Sequence, residues 1–318
     1  METAVQPSPI TTADAPFNDP TDVVDLVIRT TDNVDFFVLS GLLSLRSPSS
    51  FFRHALQSNR HTEERDGFPV LRVVEDSTTF RYILLLCYPN DRPVEIKSVE
   101  DVVAVRVALE KYCMDYAIGR FEQTVIASSL IREHALRLFV LAFRKGWRKL
   151  GEAAAKNTLF IPLTEDVAIE ELNDISAMQY VILRDYHRKC SDTARANLDY
   201  GKKLFWMEPE DAESLSSSYS YRFNDGYYER TVRIRGTDGE RTRLIDQWTL
   251  DYIRKVSQKL RETPHPEIAT DENIINAVVL SSGNDSIAIR KIQTLAKLLS
   301  KEIDRRISEV PLNIKWER

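Results

Sequence analysis

Residues 39–56 read LSGLLSLRSPSSFFRHAL: a short apolar run, a Ser-Pro break and a second apolar run. Three readings compete for this stretch: a buried helical hairpin, a nucleophile site at Ser44 or Ser47, or a recognition element. A serine side chain accepts a bond from the free amides that open a helix, and proline fits the first helical position, where no donor is needed. Ser47 and Pro48 therefore start a second helix over residues 48–57, after a first over residues 40–46. No base is identifiable for either serine. His54 lies close in sequence, but capping explains Ser47 more simply.

The flanking sequence builds a small α+β unit around that corner. DVVDLVIRT (residues 22–30) and VDFFVLS (34–40) are β-branched and aromatic runs separated by the turn-forming triplet TDN, and they read as a hairpin. FPVLRVVE (68–75) reads as a third strand. Asp76 caps a helix carrying Phe80, Ile83, Leu84 and Cys87, which YPNDRP ends. SVED (98–101) matches a capping box and opens a helix with Val102, Val105, Leu109 and Tyr112 at helical spacing. A further helix follows at about 115–129. Strands and helices in this order give α+β rather than alternating βα.

Four segments, DVVDLVIR (22–29), FFVLSGLLSLRSPSSFFRHAL (36–56), TFRYILLLCYPN (79–90) and SVEDVVAVRVALEKYCMDYAIGRF (98–121), in this order, resemble a BTB/POZ domain across residues 22–127. The longer chain resembles the fungal, chiefly basidiomycete, BTB proteins with a C-terminal helical extension. LRDYHRKC (183–190) and KEIDRRISEV (301–310) carry that likeness. The resemblance implies a small three-stranded sheet with helical hairpins, followed by a mostly α-helical region, and a role in protein–protein association. Three departures qualify it. Residues 1–21 show neither the strand nor the amphipathic helix that precede the hairpin and build the swapped homodimer of the transcription-factor branch. Many animal BTB domains place His-Lys or His-Arg just before the first hairpin helix, where Leu39 and Ser40 stand here, so the charged pocket of the transcription-factor branch does not transfer. BTB adaptors for cullin ubiquitin ligases often carry a hydrophobic-x-Glu triplet after the hairpin. In QSNRHTEERDGF (57–68), His61 and Thr62 precede Glu63 and Glu64 by two, so the triplet is absent.

Downstream, Leu136, Val140 and Phe143 form one stripe, KGW a turn, and Trp147, Leu150 and Ala154 another stripe. Residues 176–198 can form one amphipathic helix burying Met178, Val181, Ile182 and Tyr186. Residues 207–240 are the least foldable interior stretch. Asp238-Gly239 could turn a hairpin with Val232 and Ile234 on one face, and a mobile loop is the equal alternative. Helices follow at about 244–262 and 285–309, the second with Ile292, Leu295, Leu299, Ile303 and Ile307 on one side. The expected organisation is a disordered tail at 1–20, a BTB unit at 21–128, a helical extension at 129–200, a loop or hairpin at 201–242 and a helical region at 243–318.

Composition narrows the function. The 318 residues are 43% hydrophobic and 29% charged with a net charge of −5, ordinary for a globular chain and poorly suited to displacing counterions from nucleic acid. The arginine group Arg230, Arg233, Arg235, Arg241 and Arg243 is interleaved with acids, which favours a solvated hairpin or loop over a nucleic-acid surface. No run approaches a membrane span, and the first twenty residues lack the apolar core and basic start of a signal peptide. The three cysteines, Cys87, Cys113 and Cys190, read as reduced core residues of an intracellular protein, cytoplasmic or nuclear. No phosphate loop, dinucleotide fingerprint, zinc-protease or nucleophile-elbow motif is present, and ten glycines leave little for a phosphate cradle. His187 and Cys190 have ligand spacing but lack the further ligands zinc needs, and read as one exposed and one buried side chain.

The sequence therefore predicts a non-enzymatic interaction module with no cofactor and no metal. Its partners are proteins, itself included. A cullin-ligase adaptor and a transcription-linked assembly factor are the alternatives. Leu43, Phe51 and Leu56 are expected in the core, and Leu42, Leu45 and Phe52 are the candidate contacts.

Overall fold

The β-branched run and the aromatic run pair as expected. β2 (Leu26–Arg29) and β3 (Val34–Val38) are antiparallel, from Leu26 opposite Val38 to Arg29 opposite Asp35. Asn33 carries the turn at φ 60°, a left-handed conformation that asparagine tolerates. The computed structural model describes residues 9–47, 63–89, 94–163, 169–196, 206–208, 231–236, 239–281 and 286–316, with 198, 210, 211 and 215 between them. β5 (Phe68–Arg72) lies parallel to β2. Two-residue strands flank this trio: β1 (Thr11–Thr12) runs parallel to β3, and β4 (Glu64–Arg65) antiparallel to β5. The sheet is thus five-stranded, in the order β1-β3-β2-β5-β4, and the three-strand expectation is corrected at both edges.

Residues 9–20 also depart from the expected disordered tail. Thr11 N–H donates to Asn33 O and Ala13 N–H to Asp35 O, and Phe37 N–H donates to Phe17 O, at 2.9, 2.9 and 3.0 Å. Phe17 is 1% exposed, its ring edge-on to Tyr88 with centroids 5.2 Å apart. Arg81 donates to the carbonyls of Asp14 (3.1 Å) and Ala15 (2.6 Å). One buried aromatic ring and a few backbone bonds hold a segment whose polar composition gives no sign of it.

The chain divides into two compact units, Met1–Leu141 and Ala142–Arg318. In the first, α1 (Ser40–Arg46) precedes α2 (Ser77–Cys87), α3 (Val99–Lys111), α4 (Asp115–Ala127), α5 (Leu130–Glu133) and α6 (Ala135–Lys145), and the division falls inside α6. Asp76 and Ser98 cap α2 and α3 as their sequence positions require, accepting from Thr79 N–H (2.7 Å) and Asp101 N–H (3.0 Å). Phe80, Ile83, Leu84 and Cys87 of α2 are buried, as are Val102, Val105 and Leu109 of α3 and Tyr112 just after it.

In the second unit α7 (Arg148–Asn157) follows the KGW turn, where Gly146 has φ 69°. α8 (Ala177–Arg195) starts with a full capping box between Ser176 and Gln179. β6 (Thr231–Gly236) and β7 (Gly239–Leu244) pair antiparallel, so the described part of that stretch is a hairpin. α9 (Gln247–Lys259), α10 (Glu272–Ser281) and α11 (Ser286–Ser308) complete the unit. Ile292, Leu295, Leu299, Ile303 and Ile307 of α11 are at most 1% exposed, and they share one core with Cys190, Tyr252, Ile253 and Val256. Helix α10 was not expected from the sequence. It follows the proline-containing run TPHPEIAT, and of its residues only Val278 is buried. The protein is mixed α+β, with its sheet confined to the first unit apart from the β6–β7 hairpin.

Candidate protein-interaction face

Helix α1 is short and gains its stability from tertiary partners. Ser40 donates to the Asp25 carboxylate from both its backbone N–H (2.6 Å) and its hydroxyl (2.7 Å). A carboxylate at a helix N-terminus satisfies free amides and favours the helix dipole. Leu39 N–H donates to the Tyr88 hydroxyl at 2.6 Å. At the other end Ser47 is fully buried; its N–H bonds Leu43 O at 2.9 Å and its hydroxyl donates to Tyr112 O at 2.6 Å. Ser47 thus closes the first helix against the end of α3. Residues 48–62, and with them the expected second helix, lie outside the described residues.

Within α1 the candidate residues separate by depth. Leu43 is 0% exposed and packs inward, where α1 meets α2 and α4. Leu42 is half-buried, and Leu45 is 78% exposed. Phe52, with Phe51 and Leu56, lies outside the described residues. Beside Leu45, the Arg46 guanidinium sits over the Tyr116 ring at 4.3 Å from its centroid, and Tyr116 on α4 is 57% exposed. Sequence reasoning did not single out Tyr116. The available signal was an aromatic residue directly after the first residue of a helix, which neither the α4 stripe nor a cap accounts for.

A charged network crosses the sheet of the same unit. Arg29 is 2% exposed and Asp35 0%, and the two face each other across β2 and β3. Arg29 Nε donates to Asp35 Oδ1 at 2.6 Å and Nη2 to Oδ2 at 2.8 Å, a bidentate pair. Arg65 also bonds Asp35, and reaches Thr12 Oγ1 at 2.8 Å. Glu63 takes the remaining side of Arg29 and binds Arg72 at 2.8 Å. Burial pushes the Asp35 carboxyl up, but its bonds from Arg29 and Arg65 outweigh that, and the net shift is below the usual carboxylate range. The glutamate nearest to the cullin-adaptor position is thus committed to two arginines of the sheet.

Several other expectations change here. Cys113 is exposed, because it follows α3 at φ 53° and leaves the core there. Cys87 and Cys190 are buried, which pushes their thiols up to about 12 and about 11 and keeps them protonated. On α8, Met178 and Val181 are exposed at 67% and 53%, and Ile182 is half-buried. Tyr186 is buried as expected, on a face that it shares with Leu183, His187, Cys190, Ser191 and Ala194. His187, expected exposed, is 7% exposed with Nε2 3.1 Å from Ile161 O, and burial holds it below its usual range. Among the described residues no group of three or more His, Cys, Asp or Glu side chains gathers as a metal would need, and no helix is long and apolar enough to cross a membrane. Of the arginine group, the register sets Arg241 opposite Ile234 and Arg243 opposite Val232; Arg230 lies outside the described residues.

No protein-family profile matches the chain, and no curated protein matches it.

Proposed function

We propose that the chain is a non-enzymatic protein-association module, whose first unit is a BTB/POZ-type domain with the fungal group's helical extension behind it. The observation that carries the reading is Leu45: a leucine 78% exposed on a helix fixed by Asp25, Tyr88 and Tyr112. A rigid helix presenting an apolar side chain has already met its ordering cost, so a partner gains most of the burial energy. The order β2–β3 hairpin, α1, β5, α2, then α3 and α4 supports the BTB assignment, since it follows the four segments on which the sequence resemblance rests. Self-association is the first partner to test. The ligase-adaptor alternative is the weaker one, because Glu63 lacks an apolar residue two before it and is bonded to Arg29 and Arg72.

Full burial of a leucine is worth about 1.5–3 kcal/mol, and an aspartate in its place would add a desolvation cost. Leu45→Asp should leave the unit folded, because the side chain it replaces contributes little to the core. Size-exclusion chromatography with light scattering should show an oligomer for the parent and a smaller species for the variant. Affinity capture with mass spectrometry then names any other partner. A strict monomer at all concentrations, together with identical partner recovery by parent and variant, would sink the assignment of α1 as the contact.

A further inference from the structure

Helix α8 carries the exposed Arg184 and Arg188, the buried Ser191 and the half-buried Arg195 at intervals of four, three and four residues, so they fall on one helical stripe. That stripe walls a groove of about 520 Å³, closed on another side by Arg261, just past the end of α9. The volume lies in the range of ordinary ligand sites. Four guanidinium groups and two carboxylates, Asp185 and Asp192, line it, an excess of two positive charges in a chain of net charge −5.

The acids are already engaged. Asp185 bonds Arg188 and Lys189, each at 2.6 Å, and Asp192 reaches Arg188 at 3.4 Å. Arg184 and Arg261 are exposed and form no ion pair with any described residue. Ser191 is 5% exposed, lines the groove, and its hydroxyl bonds none of the described residues. His187 forms part of the floor. Its Nε2–H is directed at Ile161 O, which fixes the tautomer and leaves Nδ1 as an acceptor, so it shapes the groove without donating to a ligand.

We propose that this groove binds a phosphate monoester dianion carried on a serine or threonine of a partner peptide. A tetrahedral dianion can accept from two guanidinium forks and a hydroxyl at once, whereas a carboxylate offers a single plane. Among the described residues that line the groove there is no aromatic ring on which a nucleotide base could stack. Asp185 and Asp192 line the groove beside the arginines and would repel a continuous phosphate backbone, while a single phosphate needs only part of the lining, to which Arg184 and Arg261 both contribute. Leu163 and the half-exposed Val181 give an apolar shoulder for the neighbouring peptide residue. The site is independent of α1 and adds a phosphorylation-dependent contact to an association module.

Calorimetric titration of the full chain at low ionic strength tests this, with three probes: the tripeptide Leu-phosphoserine-Leu capped at both ends, its unphosphorylated form, and inorganic phosphate. The phosphotripeptide should saturate one site, bind more tightly than inorganic phosphate, and weaken as salt is added. Arg184→Gln or Arg261→Gln should each weaken it at least about tenfold, since bonds to charged groups carry that much, and Ser191→Ala should weaken it less. Circular dichroism checks that these variants are folded. No saturable binding of the phosphotripeptide would overturn the proposal, as would equal binding of its unphosphorylated form or undiminished binding by the double arginine variant. Inorganic phosphate binding as tightly as the phosphotripeptide would refute the peptide assignment.

Discussion

Asp35→Asn tests the buried charge network of the sheet. The carboxylate is fully buried and takes a bidentate pair from Arg29, itself 2% exposed, and a further bond from Arg65. An amide keeps the shape but loses the charge, and one of its groups then presents hydrogens towards a guanidinium. Removing one partner of a buried pair typically costs about 3–5 kcal/mol, because the other charge stays buried without compensation. Here Glu63 remains on Arg29, so the lower end, about 3 kcal/mol, is the expected loss. Because the chain has two compact units, a single unfolding curve could mix them. Amide hydrogen exchange of Val27 and Ile28 under increasing urea reads the first unit, and Leu295 and Leu299 serve as the internal reference. The pH dependence gives a second check. The Asp35 carboxyl sits below its ordinary 3.8 in the folded state, so its contribution is fully present above that value and disappears as pH falls through the lower folded value. The parent should therefore be flat in this respect between neutral pH and mild acid, and Asp35→Asn should lose part of the steep acid destabilisation. A loss under about 1 kcal/mol, with the acid limb unchanged, would refute the claim that this pair carries the sheet.

Phe17→Ala should undock residues 9–19 without unfolding the rest of the first unit. The cost should fall below the roughly 3–5 kcal/mol of a core Phe→Ala change because the segment can leave, and Thr11 and Ala13 amides should then exchange freely. Asp25→Ala removes the cap on Ser40 and should cost about 1 kcal/mol, read as faster exchange in α1. Gly151→Ala in α7 would drive a methyl group into the ring of Trp316, which also packs on Phe143 at 5.7 Å between centroids. The indole must move, so residues 311–316 should become accessible to limited proteolysis while α7 gains about 1 kcal/mol of helix propensity.

The parts of the fold legible in the sequence are those specified within one turn or one stripe. Asp76, Ser98 and Ser176 each bond the amide three residues ahead, and the α11 stripe is buried at every position expected. The misread face of α8 shows where local pattern fails. Its strongest apolar run, Met178, Val181 and Ile182, lies in its first two turns. The core is reached further along, where Tyr186, Cys190 and Ala194 join the cluster that holds the α11 stripe and α8 packs on α11. Hydrophobic periodicity reports which residues could be inside, and the position of the neighbouring helix decides which are. The docking of residues 9–20 was illegible for a related reason, since a single Phe17 anchors an otherwise polar segment. Within the candidate site, the depth order of Leu42, Leu43 and Leu45 was half legible. Helical spacing separates Leu43 from Leu42, but the exposure of Leu45 depends on where α2 and α4 lie.

The edges of the sheet bear on where a partner can attach. Proteins can associate by adding strand to strand, and an exposed long edge invites it. Here both outer strands, β1 and β4, are two residues long, and the charged network ties them inward through Thr12, Arg65, Asp35 and Glu63. A strand-adding partner at β3 would have to displace β1 with its Phe17 anchor. At β5 it would have to replace β4, whose Arg65 is bonded to the buried Asp35. Either route breaks buried contacts before it makes new ones. The surface of α1 asks for no such exchange, because Leu45 is already outside and the helix beneath it is already fixed. Comparing Phe17→Ala with Leu45→Asp therefore separates the two routes. If association strengthens when the 9–19 segment is released, the sheet edge is the contact. If it is unchanged by that release and lost with Leu45, the helix is.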